Sequence, residues 1–108
     1  MTRKPKPLPG ASLYLVLALL DGEQHGYALM RRVAELSDGA WQMGPGTLYG
    51  TLNRLVADGL IVETRVDRDE AERRRFYALT PTGRAVATTE LERLRSLVRR
   101  VGRTLPAT

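Results

Sequence analysis

From Ala11 to Leu20 apolar residues follow one another almost without interruption, and Asp21-Gly22-Glu23 then ends the run with a glycine suited to a helix terminus. This pattern predicts a mostly buried first helix. From Gly26 to Leu36 the pattern changes. Leu29, Met30, Val33 and Leu36 recur at helical spacing while Arg31, Arg32 and Glu35 fall on the opposite face, which predicts a second, amphipathic helix. Ser37-Asp38-Gly39 interrupts it, and Gly44-Pro45-Gly46-Thr47 supplies a turn with a proline suited to the first helical position. A third helix is therefore expected from Pro45 to about Asp58. Leu48, Leu52, Leu55 and Val56 would form its core stripe, Thr47, Gly50, Thr51, Asn53 and Arg54 would point outward or sideways, and Gly59 would close it.

After that helix the period shortens. Leu60 to Val66 and Arg74 to Leu79 are rich in β-branched and aromatic residues, and the charged stretch from Asp67 to Arg73 reads as the loop of a hairpin. Thr80-Pro81 is then an N-cap followed by a helix-starting proline. Beyond it Ala87, Leu91, Leu94, Val98, Val101 and Leu105 alternate at spacings of four and three, the seam of a heptad. Such a helix either packs privately on its own domain or pairs with another copy, and its length past the small core favours pairing. The expected fold is mainly α with a small β-hairpin. A winged helix-turn-helix domain over residues 10–80 is followed by a C-terminal dimerisation helix and tail over 81–108, behind a basic Pro-rich arm at 1–9 that has little to bury.

Composition narrows the function classes. A chain of 108 residues with 43% hydrophobic content can build one modest core. The absence of cysteine excludes disulfide staples and thiolate metal sites. The longest apolar run, Leu13 to Leu20, is far short of the roughly 20 residues that span a bilayer, so a soluble, cytoplasmic chain is expected. A net charge of +5 suits a polyanionic partner such as double-stranded DNA, although solubility alone would account for it as well. No phosphate-binding loop, dinucleotide fingerprint or calcium loop occurs, so no cofactor or metal is expected. The lone histidine, His25, stands where a helix-start hydrogen bond is its commoner use, and no serine sits in a glycine-flanked elbow to meet it.

The order of three helices and a hairpin makes Pro45 to Asp58 the recognition helix of a helix-turn-helix. Its small, polar outward face (Thr47, Gly50, Thr51, Asn53, Arg54) can approach a groove and offer hydrogen bonds to phosphates or base edges, or be an ordinary solvated face. Tyr49, on the flank of the apolar stripe, packs at the core edge or turns its hydroxyl to a phosphate. Among Arg73, Arg74 and Arg75, alternation along a strand points Arg74 away from its neighbours, so at least one cation faces a docked duplex. Asp67, Asp69, Glu70 and Glu72 at the wing tip would repel phosphate. A protein-interaction module without specific DNA binding is the alternative reading, with that acidic tip as its docking surface.

Four segments, taken in order, resemble the signatures of the PadR family of bacterial transcriptional regulators. They are His25-Gly26-Tyr27, Gly46-Thr47-Leu48-Tyr49-Gly50, Arg54-Leu55 with Asp58-Gly59-Leu60-Ile61, and Arg74-Arg75-Phe76-Tyr77-Ala78-Leu79-Thr80-Pro81-Thr82-Gly83. The resemblance implies a winged-helix dimer built through the C-terminal helix, acting as a repressor that a small molecule relieves. It also implies DNA contacts at Tyr27, Thr47, Tyr49, Arg54 and Arg74. Val56 stands where the family commonly has an acidic residue, which suggests extra core burial, and the wing tip is acidic without glycine. With one C-terminal helix the chain is similar to the short branch of the family, in which an apolar space admits flat hydrophobic or aromatic effectors. Trp41 and Tyr14 could stack on such a ligand or simply pack in the core.

Overall fold

The structure, a computed structural model, describes residues 8–67 and 74–104. Helix α1 (Gly10–Ala18) runs into a 3₁₀ turn (Leu19–Asp21), a short strand β1 (Gln24–His25) and helix α2 (Gly26–Leu36). Helix α3 (Pro45–Ala57), strands β2 (Ile61–Asp67) and β3 (Arg74–Leu79) and the long helix α4 (Pro81–Gly102) follow. The arm expected at residues 1–9 lies mostly outside the described residues. Of its last two, Leu8 packs against the core and Pro9 caps α1.

Local chemistry sets the helix boundaries. At the start of α2 the His25 Nδ1 accepts the Ala28 N–H at 3.2 Å, so the ring is held as the tautomer that carries its hydrogen on Nε2. Left-handed residues Asp38 (φ 51°) and Gly39 (φ 80°) turn the chain after α2. Helix α3 begins with Pro45 at its first position and ends on Gly59 (φ 75°), whose neighbour Leu60 donates its N–H back to the Leu55 carbonyl at 3.0 Å. Thr80 joins two elements. Its Oγ1 accepts the Gly83 N–H at 3.0 Å to cap α4 and donates to the Gly59 carbonyl at 2.7 Å, while its own N–H donates to the Leu60 carbonyl at 3.0 Å. Gly83 lies so close to that carbonyl that a Cβ would run into the Leu60 oxygen. The first turn of α4 is thus pinned to the end of α3.

The sheet has three antiparallel strands in the order β1-β3-β2. Ile61 pairs with Leu79 and Glu63 with Tyr77, after which Arg65 pairs with Phe76, leaving Thr64 as an irregularity of the bulge kind. On its other edge β3 pairs Gln24 with Tyr77 and His25 with Phe76. The core draws Leu15, Val16 and Leu19 from the first helix and turn, and Leu29 and Val33 from α2. It is completed by Leu48, Leu52 and Leu55 from α3, with Ile61, Tyr77 and Ala87. Each large apolar side chain so buried stabilises the fold by roughly 1.5–3 kcal/mol relative to exposure.

Four expectations need correction. The hairpin is part of a three-stranded sheet, because a two-residue strand carries no periodicity to read. Val56 is exposed. At about 100° per residue it lies roughly 80° around α3 from Leu48, off the stripe that Leu48, Leu52 and Leu55 form. Leu36 is likewise exposed, since it is the last residue of α2 and lies one turn past Val33. Asp67 ends strand β2 rather than opening the loop, and the remaining hairpin residues, 68–73, lie outside the described residues.

The cap at α2 makes stability depend on pH. Burial, followed by the nearby charges of Arg74 and Arg31, lowers the His25 pKa below its ordinary 6.5. The unfolded chain therefore takes up a proton that the folded chain refuses. The His25 contribution is present above about pH 6.5 and is lost as pH falls through the lowered folded value. His25→Asn, which replaces the Nδ1 acceptor with an amide oxygen able to cap and cannot titrate there, is expected to flatten this part of the Tm profile between about pH 7 and 5, measured by thermal unfolding. An unchanged profile would remove His25 from the acid response.

Candidate nucleic-acid interface

Helix α3 presents one face to the core and the other to solvent. Thr47, Gly50, Asn53 and Arg54 are all exposed, as the helical spacing predicts. Thr51 is not. It is 4% exposed and its Oγ1 donates to the Thr47 carbonyl at 2.8 Å, so its hydroxyl is spent within the helix. The reason is angular: Thr51 lies only about 40° around the helix from Leu55, on the buried flank.

Two tyrosines meet where α3 passes the start of α2, Tyr27 from α2 and Tyr49 from α3. Tyr27 is exposed in the first turn. Tyr49, half-buried, lays its ring against Gly26 so closely that a Cβ there would come within 2.6 Å of the Tyr49 Oη. The ring packs at the core edge while the hydroxyl reaches the N-terminus of α2. Burial, with Tyr27 nearby, raises the Tyr49 hydroxyl pKa above its ordinary 10.0, and Arg75 partly offsets this. The phenol stays protonated and able to donate.

The arginines divide into committed and available groups. Arg32 is held by Asp21 at 2.8 Å and Glu35 at 3.3 Å. Arg65 bonds Glu23 at 3.1 Å and lies 3.8 Å over the Phe76 ring, whose edge contact with His25 spans 5.5 Å. Arg75 makes a long 3.9 Å pair with Glu63. Arg31, Arg54 and Arg74 form no ion pair among the described residues. Arg31 and Arg74 both bear electrostatically on His25, the N-cap of α2, where the helix dipole is also positive. Arg31 joins this group unexpectedly. Its place on the polar face of α2 was legible, but its bearing on His25 was not. Arg73, expected beside Arg74, lies outside the described residues.

The residues expected on the C-terminal seam separate into two sets. Ala87 is fully buried against the core of its own chain, because the first turns of α4 pack on α1 and β3; it is not free to meet a partner. Glu90 is buried there too and pairs with Arg93 at 2.9 Å. Farther along, Leu91 is half-buried while Leu94, Val98 and Val101 are exposed, Val98 to 68%. Leu97, which the four-three spacing omits, is exposed with them. Leu91, Leu94 and Val98 line a shallow apolar groove edged by Arg95 and Arg99. Leu105 lies outside the described residues. Tyr14 and Trp41 do come together, with ring centroids 6.3 Å apart, and Trp41 covers Gly10 so closely that a Cβ would strike the indole. Trp41 remains 40% exposed. Among the described residues no helix is long and apolar enough to cross a membrane, and no cluster of His, Cys, Asp or Glu could hold a metal ion.

Comparison with known proteins places this arrangement. Residues 16–89 match the Transcriptional regulator PadR-like family. Transcriptional regulator Rv3488 of Mycobacterium tuberculosis (strain ATCC 25618 / H37Rv) is 44% identical over 90 residues, covering 82% of this chain and 79% of that one. In fold, the chain is similar to a PadR family transcription regulator from hypervirulent Clostridium difficile R20291, with a TM-score of 0.75 and 21% identity over 91% of this chain and all 100% of the other. It is also similar to Bacillus subtilis PadR, solved in complex with operator DNA, with a TM-score of 0.67 and 21% identity over 77% of this chain and 47% of that one. The winged-helix architecture and a family match running from α1 into α4 agree with the ordered motifs of the sequence. The chain belongs to the PadR-like family of transcriptional regulators, and its task is to bind rather than to catalyse.

Proposed function

We propose that the chain is a ligand-responsive repressor that binds a pseudo-palindromic operator as a homodimer in the cytoplasm. The observation that carries this reading is the exposed face of α3, with Thr47, Gly50, Asn53 and Arg54, set beside a tyrosine and arginine cluster whose Arg31 and Arg74 have no ion pair among the described residues. Helix α3 enters the major groove. Tyr27, Tyr49 and Arg74 contact phosphates at its rim, and Thr47, Asn53 and Arg54 reach base edges. The likeness to a PadR solved with operator DNA supports this reading at the level of fold. In this reading residues 10–80 form the DNA-binding domain.

The second half of α4, within the dimerisation segment 81–108, is the dimer surface. Exposed Leu94, Leu97, Val98 and Val101 make an apolar strip that a second copy would cover. Two-fold pairing then sets two α3 helices in successive major grooves, with half-sites separated by about 10 base pairs or a multiple. The adjoining rings of Tyr14 and Trp41, tilted by 47° to each other, offer an aromatic surface to a small hydrophobic effector.

The test is a titration of the protein into its own upstream intergenic DNA and a scrambled duplex of equal length, followed by fluorescence anisotropy. The upstream duplex is expected to bind preferentially, with affinity falling steeply as salt rises from about 50 to 200 mM. Absence of preference would favour a module that binds protein instead. Arg54→Ala should weaken upstream binding by about 1–3 kcal/mol and scrambled binding by less; equal losses would make Arg54 a phosphate contact. Leu94→Asp is expected to shift the dimer toward monomer in sedimentation and to weaken operator binding with it. A retained dimer mass would place the interface elsewhere.

A further inference from the structure

Four glycines lie in α2, α3 and the first turn of α4, and contacts within the chain explain two of them. Gly26 makes room for Tyr49, and Gly83 for the Leu60 carbonyl. A Cβ at Gly46 would also meet nothing within 4 Å, but Gly46 stands at the second position of α3, where its N–H has no partner within the helix in any case. That leaves Gly50, which has no such reason. A Cβ at that position would meet nothing within 4 Å, and Gly50 is absent from the glycines with positive φ, which are Gly22, Gly39 and Gly59. It stands well inside α3, where glycine is the poorest helix former after proline. The residue weakens the helix and improves no contact within the chain.

Its position on the helix is specific. At about 100° per residue, with Leu48 taken as the direction of the core, Gly50 lies roughly 200° around, Arg54 roughly 240°, Thr47 roughly 260° and Asn53 roughly 140°. Gly50 is therefore near the middle of the exposed face, with Thr47 and Arg54 on one side and Asn53 on the other. The three flanking side chains carry donors and acceptors suited to base edges, and between them the backbone is bare.

We infer that Gly50 is a specificity-determining residue, the point at which base pairs approach α3 most closely; this rests on the DNA-binding reading above. A Cβ would stand about 1.5 Å out from the backbone. Held off by that distance, a hydrogen bond of about 2.9 Å from Thr47, Asn53 or Arg54 would pass beyond effective range. The missing side chain lets its neighbours reach the groove floor, and an added one acts on sequence reading before it acts on phosphate contact.

Gly50→Ala separates this role from a structural one because the two readouts move in opposite directions. Wild type and variant are titrated in parallel into the upstream and scrambled duplexes at low salt, and their thermal unfolding is followed. The expected result is a Tm raised by about 4 °C or more through better helix propensity. Upstream affinity should fall about tenfold or more, the scale of one good base contact, while scrambled affinity stays within about twofold. A variant that binds upstream DNA as tightly as wild type overturns the assignment, and so does an equal loss on both duplexes. A wild type that shows no preference between the duplexes would overturn the DNA-binding reading itself and this inference with it.

Discussion

The burial of one face of α3 is the constraint on which the rest depends. Leu48, Leu52 and Leu55 are at most 2% exposed, and Thr51 closes the flank with its hydroxyl turned back to the Thr47 carbonyl. These contacts fix the rotation of α3 about its own axis, and rotation decides which side chains a duplex would meet. A helix free to roll by one residue's angle, about 100°, would exchange its polar face for its flank. The end of α3 is fixed as well, because Thr80 bonds the Gly59 and Leu60 carbonyl region and caps α4 with the same hydroxyl. Helix α3, the sheet and α4 are therefore tied together at Thr80.

Electrostatics refine what packing positions. Of the arginines around the N-terminus of α2, Arg32 and Arg65 are neutralised by Asp21 and Glu23, so their charge contributes little to an outside partner. Exposed pairs of this kind stabilise the fold by at most about 1 kcal/mol. Burial first, and then the charges of Arg74 and Arg31, make protonation of the His25 ring unfavourable. The same effects keep the capping nitrogen of His25 available to the Ala28 N–H. His25 and the Tyr49 hydroxyl both lie at the N-terminus of α2, and the two arginines that act on His25 form no ion pair among the described residues.

Helix α4 changes role along its length. Its first turns, with Gly83, Ala87 and Glu90 buried, belong to the core of its own chain. Beyond Leu91 the same helix carries an apolar strip, Leu94, Leu97, Val98 and Val101, that is exposed among the described residues. A continuous heptad thus serves two different surfaces, and the sequence pattern is the same on both sides of the change.

The sequence by itself determined whatever depends on residues close together in the chain. The bounds of α2 and β3, the proline start of α3 and the Thr80 cap of α4 were legible because caps, turns and periodicity act within a few residues. So was the exposed face formed by Thr47, Gly50, Asn53 and Arg54. What only the tertiary structure decided depends on the angle and depth at which elements pack. The pairing of Gln24 and His25 with Tyr77 and Phe76 joins residues far apart in sequence, and a two-residue strand gives no period. The burial of Thr51, the exposure of Val56, the fit of Tyr49 on Gly26 and the division of α4 at Leu91 follow from how much of each helix the small core can cover. Periodicity gives the direction in which a side chain points, and packing alone decides whether another element is there to meet it.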